Sequence, residues 1–189
     1  TRSLYDTLAL KHDWHSDVKL SAQAMKDLQW FVELNEAWNG LALWKPTPQA
    51  IIHTDASDYG WGASLQQTVV ARGFFNEEQL RHHITEKELR AVLFALKHFH
   101  NKLLGMINIL LMTDNQVVMS VINKDLSKSR QLMTLVRKIQ DKCHAMGLTI
   151  TAKYLPSEDN VLADKLSRQV DKTDWSISDE LFAQVQQRW

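Results

Sequence analysis

The sequence predicts an α/β fold: a five-stranded mixed sheet flanked by helices, with a helical extension at its N-terminal end. Three observations carry this. Strand-length apolar runs and runs of helical period follow one another in the order β-β-β-α-β-α-α-β-α. The first three strand runs are separated only by turn chemistry, which reads as an antiparallel meander. Four acids, Asp55, Glu88, Asp114 and Asp164, stand at the ends of these elements or in the last helix.

A chain of 189 residues is one ordinary domain with an appendage, long enough to bury a real core. Hydrophobic residues make up 44%, with 6 Gly and 3 Pro, which excludes disordered and fibrous classes. Lys+Arg and Asp+Glu are 22 each, so any nucleic-acid contact has to come from local patches. The single cysteine, Cys143, cannot form an internal disulfide, which fits an intracellular setting, cytoplasm or nucleus; its helical context predicts a buried bystander thiol. No signal peptide and no apolar run long enough to cross a bilayer is present in the sequence. Neither end carries terminal punctuation, which predicts a piece of a longer protein.

The first 45 residues read as helical. Ser21 is a candidate N-cap, and Ala24, Met25, Leu28, Phe31, Val32, Leu34 and Trp38 form an apolar stripe ending at Asn39-Gly40. Trp30, Trp38 and Trp44 read as packing residues rather than a base-stacking platform. Lys45-Pro46-Thr47-Pro48 breaks the helix and sets a boundary. Residues 50–56 are β-rich and include Asp55, an acid where burial is expected and costly unless something pairs with it. Taken alone, Asp55 is equally well explained as a residue capping its own turn. Ser57-Asp58-Tyr59-Gly60 carries turn chemistry, 61–65 resumes as a strand, and 69–75 is the third.

The polar run 76–83 leads into a helix with Leu89, Val92, Leu93, Leu96 and Phe99 at helical period. Thr85-Glu86-Lys87-Glu88 has capping-box spacing, so Glu88 has a structural explanation as a cap worth about 1 kcal/mol. Glu88 also heads the core-facing stripe, whereas Glu86 is rotated roughly 200° away and is expected to face solvent. His82 and His83 read as surface or helix-entry residues. Residues 107–113 form a strand-length run ending at Asp114-Asn115, with Val117, Val118, Val121 and Ile122 at helical spacing beyond; Asp114 in isolation is an N-cap. A long helix over 128–146 stops at Gly147, and 148–154 alternates as a strand. Asn160 then caps a short last helix with Asp164 one turn on, where a lone Asp-Lys is normally a solvated face.

Four blocks together resemble the ribonuclease H domain of retroelement reverse transcriptases: Thr54-Asp55-Ala56-Ser57 with Gly60-Trp61-Gly62-Ala63; Lys87-Glu88-Leu89 with Ala91-Val92; Thr113-Asp114-Asn115 with Val118; and Asn160-Val161-Leu162-Ala163-Asp164-Lys165-Leu166-Ser167-Arg168. The last is the most specific, and the match covers roughly 48–168. His83-Ile84 ahead of Glu88, the Trp-rich extension, and Asp174-Trp175 with Phe182 and Trp189 look most like the DIRS-type retrotransposons. The resemblance implies a ribonuclease H-like fold over 46–170, a tether to a polymerase segment over 1–45, and a tail over 171–189 leading to the next polyprotein segment.

It further implies hydrolysis of the RNA strand of an RNA/DNA hybrid during reverse transcription, with two Mg²⁺ ions, or Mn²⁺, as cofactor. Asp55 would bridge both ions, Asp164 would help hold the one that binds the attacking water, and Glu88 and Asp114 would serve the other. The implied partners are the hybrid and the polymerase domain of the same polyprotein; Ser57, Asn115, Gln116 and Asn160 are candidate groove contacts. Many relatives place a mobile histidine six residues before the Asn of the last block, where this chain has Tyr154, which predicts slow turnover with the metal site intact. The stretch between Asp114 and Asp164 is also short for the extra basic helix that some cellular relatives use to grip their hybrid.

Carboxylate oxygens suit hard divalent cations, and two such ions about 3.5–4 Å apart activate a water and stabilise the leaving oxygen in phosphodiester hydrolysis. Acids gathered without metal repel one another, so their convergence makes sense chiefly as a cation site. Two alternatives stay open: a non-catalytic ribonuclease H-like module that binds hybrid or supports its polymerase, and another nuclease on the same fold, such as an integrase or resolvase core.

Overall fold

The structure, a computed structural model, describes residues 2–11, 13, 15–33 and 47–169, and the chain divides into two compact units, Thr1–Lys45 and Pro46–Trp189. In the first unit, α1 (Arg2–Leu8) and α2 (Ala22–Glu33) pack on each other. Ser21 caps α2 as expected, its hydroxyl accepting from the Ala24 N–H at 3.1 Å, and Ala24 is fully buried. Ser3 donates from α1 to Asp27 of α2. Trp38, Trp44 and the side chain of Trp30 lie outside the described residues, as does the tail 171–189.

The second unit runs β1 (Ala50–Ala56), β2 (Gly60–Leu65), β3 (Val69–Phe74), α3 (Glu77–Leu80), α4 (Ile84–His98), α5 (His100–Leu103), β4 (Asn108–Thr113), α6 (Gln116–Lys124), α7 (Arg130–Ala145), β5 (Thr149–Tyr154) and α8 (Val161–Arg168). This is the predicted order with two four-residue helices, α3 and α5, added. Among the described residues the strands form one five-stranded sheet in the order β3-β2-β1-β4-β5. The meander β1-β2-β3 is antiparallel, whereas β4 pairs parallel with both β1 and β5. Parallel neighbours need long crossovers. Those crossovers are the helices: α4 lies between β3 and β4, and α6 and α7 lie between β4 and β5.

One face of the sheet carries the core. Ile52 of β1 and Ile109 and Leu111 of β4 meet Leu89, Val92 and Leu96 of α4, Val118 of α6, and Val136 and Ile139 of α7, all essentially inaccessible. Each such side chain contributes about 1.5–3 kcal/mol of burial. Cys143 of α7 is buried in the same core, and burial pushes its thiol up to about 12, so it is the inert bystander expected.

The opposite face is covered by α8. Successive residues of a strand point to opposite faces. Trp61 of β2 packs on Phe94 of α4 with ring centroids 5.4 Å apart, so its neighbour Gly62 faces the other way. There α8 approaches so closely that a Cβ on Gly62 would lie 2.4 Å from the Ala163 carbonyl oxygen and 2.6 Å from the Ser167 nitrogen. Both obstacles are backbone and cannot swing aside.

Gly62→Ala is therefore expected to destabilise the domain by about 1–3 kcal/mol or more through overpacking. Chemical denaturation monitored by circular dichroism measures it; a loss below 0.5 kcal/mol, within the usual scatter of surface substitutions, would show that α8 seats less tightly than this.

Candidate active site

β1 and β4 run parallel, so their carboxyl ends open on the same edge of the sheet, the usual place for a site in such sheets. Asp55 is the penultimate residue of β1, Asp114 the first beyond β4, and Glu88 lies in the second turn of α4. One carboxylate oxygen from each lies within 4.8 Å of the others. Asp55 and Glu88 are 4% exposed, and Glu88 Oε2 is buried without a hydrogen-bond partner, although the Ala56 amide reaches the same carboxylate.

The helix caps leave these acids free. Asn115, one residue past Asp114, caps α6, its side-chain oxygen accepting from the Val117 and Val118 N–H groups at 3.0 and 3.2 Å. Asp114 is thereby spared the capping role its position suggests in isolation. The capping box expected at Thr85 is not formed: α4 starts two residues earlier than a Thr85 cap requires, and the His83 Nδ1 accepts from the Thr85 N–H at 3.2 Å. The box that does form is at α3, between Asn76 and Gln79. Glu88 therefore caps nothing.

Glu86 is not the solvent-facing residue that its wheel position predicts: it is only 8% exposed. Arg90, one turn on, bonds its Oε1 at 2.9 Å, and His82 Nδ1 of the loop before α4 lies 3.2 Å away. Its position on the wheel separates it from Glu88, but a pairing partner four residues to either side flanks it there. Lys87, between the two acids, is also buried and donates to the Asp58 carbonyl at 3.0 Å, away from the site.

The structure brings three of the four predicted acids together; Asp164 stands outside that group of three. Its side chain is 40% exposed and its Oδ1 accepts from Arg168 Nε at 2.6 Å, yet its charge is near enough to act on Asp55. Two serines not foreseen as site residues hold the acids instead. Ser167 Oγ of α8 lies 2.5 Å from Asp55 Oδ2, and Ser157 Oγ, in the turn before α8, lies 2.5 Å from Asp114 Oδ2. Ser167 falls inside the block quoted from the sequence, but only the folded chain turns it toward residue 55.

The candidate groove contacts divide. Gln116 is exposed at the start of α6, and the Asn115 side-chain oxygen is engaged as a cap. Ser57 and Asn160 are buried ties between strand and helix. The Ser57 hydroxyl accepts from the Gly60 N–H at 3.1 Å and donates to the Ser167 carbonyl at 2.7 Å. Asn160 makes no side-chain cap bond to α8, contrary to expectation; its Nδ2 donates to the Thr54 carbonyl at 3.0 Å. Tyr154 is 43% exposed at the end of β5.

Burial, then the hydrogen bond from Ser167, then the charges of Asp114 and Asp164 govern Asp55; the balance raises it to about 6. Burial, followed by the charges of Asp55 and Asp114, pushes Glu88 up to about 9. Buried like charges and an orphaned Oε2 are costly by themselves. All three donors are carboxylate oxygens, so the group fits a hard divalent cation.

A family model described as RNase H-like domain found in reverse transcriptase matches residues 45–141. The enzymatic polyprotein of Cauliflower mosaic virus (strain Strasbourg) is 28% identical over 139 residues, covering 67% of this chain and 20% of that protein. The chain thus spans about a fifth of the length of the curated relatives it matches. Among solved structures, LC11-RNase H1 in complex with RNA/DNA hybrid superposes with a TM-score of 0.53 at 20% identity, covering 62% of this chain and 93% of that one. RNase H1 from the halophilic archaeon Halobacterium salinarum does so with a TM-score of 0.52 at 17% identity, covering 62% and 92%. These two likenesses are of fold. Among the described residues no helix is long and apolar enough to cross a membrane.

Glu88 carries the metal-free pH dependence above about 6, and Asp55 adds to it below. Between its ordinary value near 4 and about 9, the folded protein holds a proton that the unfolded chain has lost, so this group's contribution to stability falls as pH rises. One such carboxyl gives at most about 1.4 kcal/mol per pH unit. Thermal melts in EDTA from pH 5 to 9 are expected to fall more steeply for wild type than for Glu88→Gln, and added Mg²⁺ should flatten the wild-type curve; parallel curves for the two proteins would refute the assignment.

Proposed function

The chain belongs to the family of RNase H-like domains found in reverse transcriptases, and on that premise we propose that it is a metal-dependent endonuclease hydrolysing the RNA strand of RNA/DNA hybrids during reverse transcription. The observation that carries this reading is the convergence of Asp55, Glu88 and Asp114 with one buried oxygen left unpartnered. Asp55, Glu88, Asp114 and Asp164 would hold two divalent cations, Mg²⁺ or Mn²⁺. Such ions, when bound, supply charge for the scissile phosphate and a water acidic enough to attack it.

The chain's own residues prepare the site. Asp55 meets Glu88 and Asp114 within 4.8 Å and also feels the charge of Asp164, which suits a shared ligand. Asp164 joins by releasing Arg168, and an exposed pair four residues apart on a helix is worth only about 0.3–0.5 kcal/mol, so the exchange costs little. Gln116, exposed at the start of α6, and the side-chain amide of Asn115 follow Asp114 directly in the chain and suit contacts to 2′-hydroxyls, the groups that distinguish RNA from DNA.

In this reading residues 1–45 tether the domain, 46–170, to the polymerase of the same polyprotein, and 171–189 lead to its next segment. The flanking tryptophans support an origin in a DIRS-type element, and the lone buried Cys143 supports an intracellular setting. Tyr154, where many relatives place a histidine, favours the second reading, a non-catalytic hybrid-binding module.

Asp55→Asn barely changes volume, so cleavage of a labelled RNA/DNA hybrid in Mg²⁺ should fall by orders of magnitude with the fold retained. Glu77→Gln, on the exposed α3, should cleave as wild type does. Equal cleavage by wild type and Asp55→Asn, or none by wild type in Mg²⁺ or Mn²⁺, overturns the catalytic reading; cleavage of DNA-only duplex points to another nuclease on the same fold.

A further inference from the structure

We propose that Ser167 is a positioning residue for this site: its hydroxyl holds the Asp55 carboxylate in the orientation that meets Glu88 and Asp114. The inference rests on reading those acids as a cation site. Ser167 is 3% exposed and its Oγ lies 2.5 Å from Asp55 Oδ2, with Asp55 itself buried. The same hydroxyl is 2.9 Å from the Asp164 carbonyl. A hydroxyl has one proton, and the closer, charged acceptor takes it, since hydrogen bonds to ionised groups are the stronger ones.

The serine is itself held. Its carbonyl accepts from the Ser57 hydroxyl at 2.7 Å, and the start of α8 is tied to β1 through Asn160 and the Thr54 carbonyl. Gly62 lets the Ser167 backbone sit against β2. The donor is thus fixed to the strand that carries its acceptor.

Its neutrality matters. The nearby cations turn elsewhere, Lys87 to the Asp58 carbonyl and Arg168 to Asp164. A neutral donor orients the carboxylate without adding a positive charge to compete with a cation, as an ammonium or guanidinium in its place would. Groups of this kind beyond the ligands commonly govern metal affinity about 10–100-fold.

The competing account is a plain structural tie between α8 and β1. It predicts lost stability and unchanged metal affinity. The test uses the full 189-residue chain, as wild type, Ser167→Ala, Ser167→Thr and Ser167→Val, with folding checked by circular dichroism. Mn²⁺ affinity is read by calorimetry and hybrid cleavage across a metal titration. Ser167→Ala should weaken Mn²⁺ binding at least about tenfold, with cleavage partly recovered at high metal. Thr and Val share a shape and differ in the hydroxyl, so if Ala fails to fold, tighter binding by Thr than by Val supports the proposal. Equal Mn²⁺ affinity in wild type and Ser167→Ala, or in Thr and Val, overturns it while leaving the metal site standing. No Mn²⁺ binding by wild type overturns both.

Discussion

The seating of α8 against β2 is the constraint on which the rest of the site depends. At Gly62 helix backbone meets strand at a distance no side chain would tolerate, and that contact brings Ser167 to Asp55 and Asp164 to the rim. Ser57 and Asn160 act on the same joint from either end, Ser57 bonding the last turn of α8 and Asn160, at the head of α8, bonding β1. Buried polar groups of this kind are expensive unless paired, so each tie also removes a penalty.

Against this rigid joint stands a deliberate misfit. Glu88 is buried with an oxygen unpartnered, and Asp55 is buried beside two other acids. Burying such a carboxyl is costly even though Glu88 meets the cost by holding its proton up to about 9, and it falls on a net stability of only about 5–15 kcal/mol typical of a folded domain. The fold tolerates it because the elements that carry the acids are anchored independently: α4 presents Leu89, Val92 and Leu96 to the core, and Ile52 and Ile109 with Leu111 hold β1 and β4. Strain kept in place by surrounding structure is characteristic of functional sites.

Capping chemistry is arranged so that the acids escape it. Every N-terminal turn needs acceptors for its free N–H groups. His83 provides one for α4, Asn115 for α6 and Ser129 for α7, so neither Glu88 nor Asp114 is drawn into that role. Glu86, two residues from Glu88, is neutralised by Arg90 instead. Two acids in one helical turn thus have opposite fates, decided by what each can reach.

Periodicity and turn chemistry alone determined the order of the elements, the boundaries of most strands, the burial of Cys143 and the choice of Glu88 over Glu86, because these follow from spacing along one chain. Part of what escaped is local side-chain pairing, and the rest depends on partners distant in sequence. Ser21 could be named as a cap, but His83 could not, since histidine is an uncommon cap and Thr85-Glu86 offered the better local pattern. The solvent-facing expectation for Glu86 rests on the apolar stripe alone, which leaves out its pairing with His82 and Arg90, four residues to either side. Asn160 looks like a cap in sequence and in the fold bonds Thr54, 106 positions away. Ser167 meets Asp55 across 112 positions, a contact with no spacing signature. Sequence spacing reports neighbours within a turn or a strand pair; which hydroxyl faces which carboxylate was decided only when α8 closed onto Gly62, where the absence of one side chain sets the distance.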